Sequence, residues 1–337
     1  MSLDDKCCSR ACSHAGVYNV IVKIPCRILD ITTDWLADLL PFPVASFQVR
    51  KIGNGYMSDV YRLLLEPDNQ SIIVKISSSS VPTRDLAARF RSYEKEHRFY
   101  AELAELVSVK LPLCYFNFFD ETGRLVLGLE DIGSQIKTQL TESNIILAAR
   151  NLADLHSTRP IEGVPELAEG MRAAAVELKT CNLTGLYHDR VAELLDHYAQ
   201  HSLELLPRFL QQPQVLSHMD FRLDNLGFTP EHVTLFDWGE FSSAPPGFDL
   251  AYFAVTSMTT EQRQAVEDTF LDAYVRQYAA TSKESVLQSY QLCLLPTVYM
   301  SLLMTGAGNS NAAQQLANRL SAAIDDHYEA IRRLIDF

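Results

Sequence analysis

Basic residues are scarce in this chain. Lys and Arg number 29 against 42 Asp and Glu in 337 residues, a formal net charge of −13. Nowhere do the basic residues form a block. Proteins that grip nucleic acid through its phosphates present a basic face, so a nucleic-acid partner is not expected. Long apolar runs are lacking too. The most apolar stretch, Leu292–Met304, is interrupted by Pro296 and is too short to span a bilayer; it reads as a buried core helix, and no membrane partner is expected. The short run Val17–Ile24 carries Lys23 and has no small-residue cleavage site, so it does not read as a secretory signal. Paired cysteine spacing is absent: the seven Cys are odd in number, and Cys114, Cys181 and Cys293 lie far apart in apolar segments. That pattern suits buried thiols in a reducing cytoplasm. Cys7, Cys8, Cys12 and His14 cluster near the start without the paired spacing of zinc sites and read as a tail. No internal repeat and no low-complexity tract appears.

What is present is an ordinary globular balance, 47% hydrophobic and 21% charged, in a chain long enough for two sizeable cores. Beyond an extension of uncertain structure (1–33), β-like runs cover Ala45–Ile52, Met57–Glu66, Ser71–Ser77, Leu113–Phe119 and Arg124–Glu130, separated by turn formers such as Gly53-Asn54-Gly55 and Pro67-Asp68-Asn69. One helix is predicted among them, over Arg84–Leu106, with Leu86, Phe90, Tyr93, His97, Tyr100 and Leu103 recurring every three or four positions. From about residue 133 the pattern turns helical: Asn144–Ser157, His188–Leu210, Asp249–Ser257, Glu261–Ala280, Lys283–Met304 and Ala312–Ile335. The predicted class is α+β. A five-stranded antiparallel sheet with one helix fills 34–132, and a mainly helical part fills 133–337.

The segment Val215–Trp238 carries the strongest chemical signal. Two short β-like pieces, Gln214–Ser217 and Val233–Phe236, bracket a polar loop holding His218, Asp220 and Asn225, and Asp237 follows the second. Phosphoryl transfer needs a carboxylate to orient the acceptor hydroxyl and hard oxygen ligands for Mg²⁺. In this arrangement Asp220 directs the hydroxyl proton, Asn225 and Asp237 hold the metal, and His218 braces the loop. Upstream, Gly53, Gly55 and Ser58 lie in a glycine turn between two strands, where backbone N–H groups can approach phosphates closely. Lys75 interrupts an apolar strand, which is costly unless the charge is paired. The partner expected on the following helix is Glu96, since Glu94 points to the far side.

These residues together resemble the aminoglycoside phosphotransferase and choline kinase superfamily, relatives of protein kinases. The wording Asp220-Phe221-Arg222-Leu223-Asp224-Asn225-Leu226 is similar to a bacterial branch that also resembles the kinase-like domain attached to some acyl-CoA dehydrogenases. The resemblance implies a two-lobed, protein-kinase-like fold and use of ATP, with GTP possible. It implies that Lys75, fixed by Glu96, binds the α/β phosphates. The backbone of Glu130 and Ile132 would meet the base at a hinge. Arg222 would meet the γ-phosphate, its alternatives being an anionic acceptor or a structural pair with Asp224. Asp249 would cap a helix and support the catalytic loop, with His156 a packing residue.

The function expected is a cytoplasmic small-molecule kinase acting on a hydroxyl of a metabolite, natural product or antibiotic. A protein kinase fits less well: twelve positions separate Asp237 from Asp249, no Ala-Pro-Glu-like segment follows, and Met219 replaces a regulatory Arg. A nucleotide-binding pseudokinase scaffold usually loses one of the residues equivalent to Asp220, Asn225, Asp237 or Lys75, and all four are present.

Overall fold

The computed structural model describes residues 24–54, 57–180, 185–306 and 308–337. The cysteine cluster near the start and Gly55 lie outside them. The chain divides into two compact units. The first takes the described residues up to Leu106, then 111–134 and 236–240; the second takes 107–110, 135–235 and 241–337.

The first unit is built on an antiparallel sheet. Its strands are β1 (Ser46–Asn54), β2 (Ser58–Glu66), β3 (Gln70–Ser77), β4 (Cys114–Phe119) and β5 (Leu125–Glu130), in the order β1-β2-β3-β5-β4. Alternation along each strand sorts the side chains. Ile72, Val74 and Ile76 of β3 face one core with Leu63, Leu65, Phe116, Phe118 and Val126. Ile24, Ile31 and Leu36 cover that face, so the described residues 24–33 contribute to the core, and a short helix, α1 (Thr33–Leu39), forms where none was expected. Leu125, Leu127 and Leu129 of β5 face the other way, against Ala87 and Tyr93. Lys75 lies opposite Leu127 in the ladder and shares this second face.

The single helix predicted over Arg84–Leu106 is in fact broken. α2 (Val81–Phe90) and α3 (Ser92–Arg98) are separated by Arg91, which is left-handed at φ 56, and a π-turn follows at Phe99–Leu103. Arg91 closes α2 through its backbone N–H and pairs its guanidinium with Glu94 at 2.8 Å in the first turn of α3. No glycine or proline marks the break. Tyr93 and Leu103 of the expected stripe are buried, with Glu96 and Phe99 beside them, while His97 and Tyr100 are half-buried, Tyr100 packing against the core around Ala87 and Tyr93.

The second unit is mainly helical: α4 (Glu142–His156), α5 (Leu167–Thr180), α6 (Asp189–Leu210), α7 (Gly247–Ser257), α8 (Thr260–Gln277), α9 (Lys283–Cys293), α10 (Val298–Gly306), α11 (Ser310–Asp326) and α12 (Tyr328–Ile335). Side-chain oxygens of Thr141, Thr259 and Ser282 cap the first turns of α4, α8 and α9. The stretch Lys283–Met304, expected as one helix, is divided by a 3-10 turn at Leu295–Thr297 around Pro296. Its centre, Leu292–Leu295 with Val298, is fully buried. Ala312–Ile335 likewise breaks at His327. α5 was not anticipated. Two small antiparallel pairs complete the unit: β6 (Val215–Ser217) with β9 (Ser242–Ala244), and β7 (Leu226–Phe228) with β8 (Val233–Leu235).

Candidate active site

In the first unit the alternation of β3 and the kinked α3 bring Lys75 to Glu96. The ammonium lies 2.7 Å from one Glu96 carboxylate oxygen and 2.6 Å from Asp237 Oδ1. Burial alone would push the Lys75 pKa down; the Asp237 and Glu96 carboxylates outweigh it and hold the group above the ordinary lysine range. Burial pushes Glu96 up, with Lys75 opposing. Glu94, the competitor, is spent on Arg91.

Asp237 is a left-handed residue, φ 66, fastened on its C-terminal side. Trp238 is fully buried and stacks on Phe99 with centroids 3.8 Å apart, and Glu240 accepts a 2.5 Å hydrogen bond from Ser92 Oγ. These anchors, all on α3 or the turn after it, hold the Asp237 carboxylate beside Lys75 while leaving that side chain 41% exposed. A positive φ on a non-glycine residue is a costly conformation that persists only where surroundings enforce it.

Gly53 belongs to β1, next to a bulge in the β1–β2 ladder, and Ser58 is buried at the start of β2. Lys51 and Asp59 flank this turn and pair across it at 2.7 Å, and Asp59 also accepts from Ser79 N at 2.9 Å. At the end of β5, Glu130 exchanges bonds with Leu113 through its backbone N–H and its carboxylate, and Ile132 is buried. Asp131 is not a solvated turn residue: Arg62 clamps it with two nitrogens, at 2.6 and 3.1 Å, and Ser71 Oγ donates at 2.7 Å.

In the second unit the loop after β6 is held from beneath. Asp249, in the first turn of α7, is fully buried and accepts from the backbone N–H groups of His218 and Met219, both at 2.8 Å. Its side chain makes no cap of α7. His156 Nε2 lies 3.2 Å from it and His156 Nδ1 meets Tyr274 Oη at 2.8 Å. Burial opposes the Asp249 charge, but the bond and charge of His156 outweigh it and hold the carboxyl below the usual range. Met219 is the loop's left-handed residue, φ 68. His218 is buried, and its Nδ1 accepts from Asp220 N at 3.3 Å.

Asp220 itself is gripped on both oxygens. Asn225 Nδ2 donates to Oδ2 at 2.7 Å and to the Asp220 carbonyl at 2.9 Å; Tyr252 Oη donates to Oδ1 at 2.6 Å. Arg222 Nε lies 3.2 Å from Oδ1, and its NH1 3.4 Å from Asp224. The Asp220 side chain remains 20% exposed. Because the Asn225 amino group is spent on Asp220, its Oδ1 is the atom left to face a cation. The structure thus gathers Lys75, Glu96 and Asp237 in one unit and His218, Asp220, Arg222, Asn225 and Asp249 in the other. Tyr252, Trp238 and Asp59 were missed. Tyr252 had a signal: it follows Asp249 by three positions, on the same face of an otherwise apolar helix.

Residues 48–286, more than half of the chain, match the APH family, the phosphotransferase enzyme family. The chain belongs to this family. Among solved structures this phosphotransferase is similar to the choline kinase LicA from Streptococcus pneumoniae, at 19% identity over 86% of this chain and 97% of that one, TM-score 0.57. Aminoglycoside 2'-phosphotransferase-IIIa, solved with GDP, matches at 16% identity over 88% and 98%, TM-score 0.57. An ethanolamine kinase from Plasmodium vivax matches at 14% over 86% of both, TM-score 0.56. At these identities the likeness carries the kinase-like fold. No curated protein matches.

Proposed function

We propose that this phosphotransferase moves the γ-phosphoryl group of ATP, or of GTP, to a hydroxyl of a small metabolite, natural product or antibiotic. The carrying observation is the Asp220 carboxylate, fixed on both oxygens yet open to solvent, inside the His218–Asn225 loop. In the proposed reaction the acceptor O–H donates to Asp220 and its oxygen attacks the γ-phosphorus. The bond from that phosphorus to the bridging oxygen breaks, and the nucleoside diphosphate leaves with the electron pair. Lys75, steadied by Glu96, binds the α/β phosphates. Gly53, Gly55 and Ser58 are assigned to phosphate binding, and the backbone of Glu130 and Ile132 to the base. Arg222 stabilises charge on the transferring group.

Asn225 and Asp237 suit Mg²⁺. Both offer hard oxygens, the Asn225 amino group is already engaged, and the Asp237 carboxylate is partly open. Among the described residues no group of three or more His, Cys, Asp and Glu side chains forms a cage. When bound, the ion neutralises phosphate charge. His218 and Asp249 serve as structural support.

A small acceptor is favoured over a peptide because β9 alone lies between Asp237 and the start of α7 at Gly247. We assign nucleotide binding to residues 34–132 and the acceptor to 133–337, with 1–33 as an extension. The Arg222-Leu223-Asp224-Asn225 wording supports a place in the branch similar to the kinase-like domain of some acyl-CoA dehydrogenases, and hence a metabolic acceptor in the cytoplasm. The test is diphosphate release from Mg-ATP and Mg-GTP with choline, ethanolamine, hydroxy acids and an aminoglycoside as acceptors. Asp220→Asn is expected to lower kcat by about 100-fold or more with nucleotide binding retained. Near-wild-type turnover in that variant would remove Asp220 from this role. Nucleotide binding with no turnover in the wild type would make the chain a pseudokinase.

A further inference from the structure

α7 meets the loop at three points along one face. Asp249 takes the backbone of His218 and Met219, Tyr252 meets the Asp220 carboxylate, and Ser257 Oγ accepts from Leu223 N at 2.9 Å. Two of these contacts hold backbone. Only Tyr252 touches the group proposed to face the acceptor. Its hydroxyl donates to Oδ1 at 2.6 Å, opposite the 2.7 Å bond from Asn225 to Oδ2.

We infer that Tyr252 is a positioning residue for phosphoryl transfer, one that sets the rotation of the Asp220 carboxylate. This rests on the phosphotransferase reading above. A carboxylate on a short side chain rotates about its last bond and presents either oxygen unless both are held. Asn225 alone fixes Oδ2 and leaves rotation about the Asn225–Oδ2 contact. The second donor, at Oδ1, removes that freedom and leaves one direction for the acceptor hydroxyl. Arg222, 3.2 Å from the same oxygen, also pairs with Asp224 and lies on the loop itself. Tyr252 stands on α7 and not on the loop: it is 4% exposed, in a helix whose Leu250, Ala251, Phe253, Ala254 and Val255 are all buried, and its ring stacks beside Phe248 at 6.4 Å. Orientation of a reacting group is worth rate only when it is held before the transition state is reached.

The experiment is Tyr252→Phe in the full chain, read as diphosphate release from Mg-ATP with whichever acceptor of the panel, water included, gives turnover. A charge-assisted hydrogen bond of this kind predicts a fall in kcat of about tenfold or more, with the nucleotide KM unchanged. Tyr290→Phe is the structural control. It loses a buried hydroxyl bonded to Glu267 at 2.7 Å in the same unit, and should lower Tm while sparing kcat. Wild-type kcat in Tyr252→Phe overturns the inference and leaves the phosphotransferase reading standing. A loss of kcat shared equally by Tyr290→Phe, or a rise in nucleotide KM with kcat intact, also overturns it. A wild type that never turns over removes both.

Discussion

Lys75 is the residue on which the cluster in the first unit turns, and its cost sets a prediction. Its side chain is 12% exposed and that of its partner Glu96 2%. Removing one member of a buried pair leaves the other charged and unpaired, at a cost of about 3–5 kcal/mol. Lys75→Met should therefore destabilise the protein by about 3 kcal/mol in urea unfolding, and Lys75→Met with Glu96→Leu should recover most of it. A double variant no more stable than the single would show that the buried Glu96 charge is not the source. At this scale the sequence was informative wherever a residue type violated its surroundings. A Lys in the run Ile72–Ile76 demands a partner, and a helix offers only a few carboxylates at the right angle. Tyr252 offers only its spacing from Asp249, and Trp238 violates nothing. An aromatic in an apolar segment reads as core, and Trp238 is core; only the structure shows the Tyr252 hydroxyl meeting Asp220.

Elements were legible where period and punctuation agreed. The strands of the sheet alternate and end at turn formers, and they fall within a residue or two of their expected bounds. Breaks without punctuation were not legible. Arg91 and His327 interrupt helices at residues that favour neither turn nor cap, Arg91 pairing with Glu94 across the break. α5 repeats Leu167, Met171, Ala175 and Leu178 on a buried face, but three successive alanines dilute the contrast with its polar side. The element that matters most to the loop is α7, and its first residue limits how it can sit. Gly247 packs so close to α9 that a Cβ would collide with the main chain of Ser289, while Gly247 N donates to Ser289 Oγ at 3.0 Å. Backbone cannot rotate aside as a side chain does. Gly247→Ala should cost about 1–3 kcal/mol and, by displacing Asp249 and Tyr252, lower kcat more than it raises the nucleotide KM. An alanine variant of unchanged Tm would mean that α7 and α9 separate freely.

For the whole molecule, an excess of acidic groups makes stability depend on pH through the few carboxylates that are paired inside. Glu267 is the clearest. Burial raises its pKa, but bonds from His327, Tyr290 and Arg263 together outweigh that and lower it from 4.5 to about 2. Its 2.7 Å contact with His327 ties α8 to the end of α11, and its 2.6 Å contact with Arg263 lies within α8. A carboxyl whose folded pKa lies below its unfolded one contributes stability that is complete above pH 4.5 and is lost as pH falls toward 2. The shift corresponds to about 3 kcal/mol. Arg263 keeps Asp326 as a partner, so Glu267→Gln should still fold. At pH 7 that variant should be less stable than the wild type by about this amount. Because Gln cannot titrate, the difference should shrink as pH falls from 4.5 through 3, even while both proteins weaken from their other carboxylates. Comparing variant with wild type at each pH cancels those shared losses. A gap that stays constant down to pH 3 would mean that Glu267 is not what the His327 and Arg263 contacts stabilise.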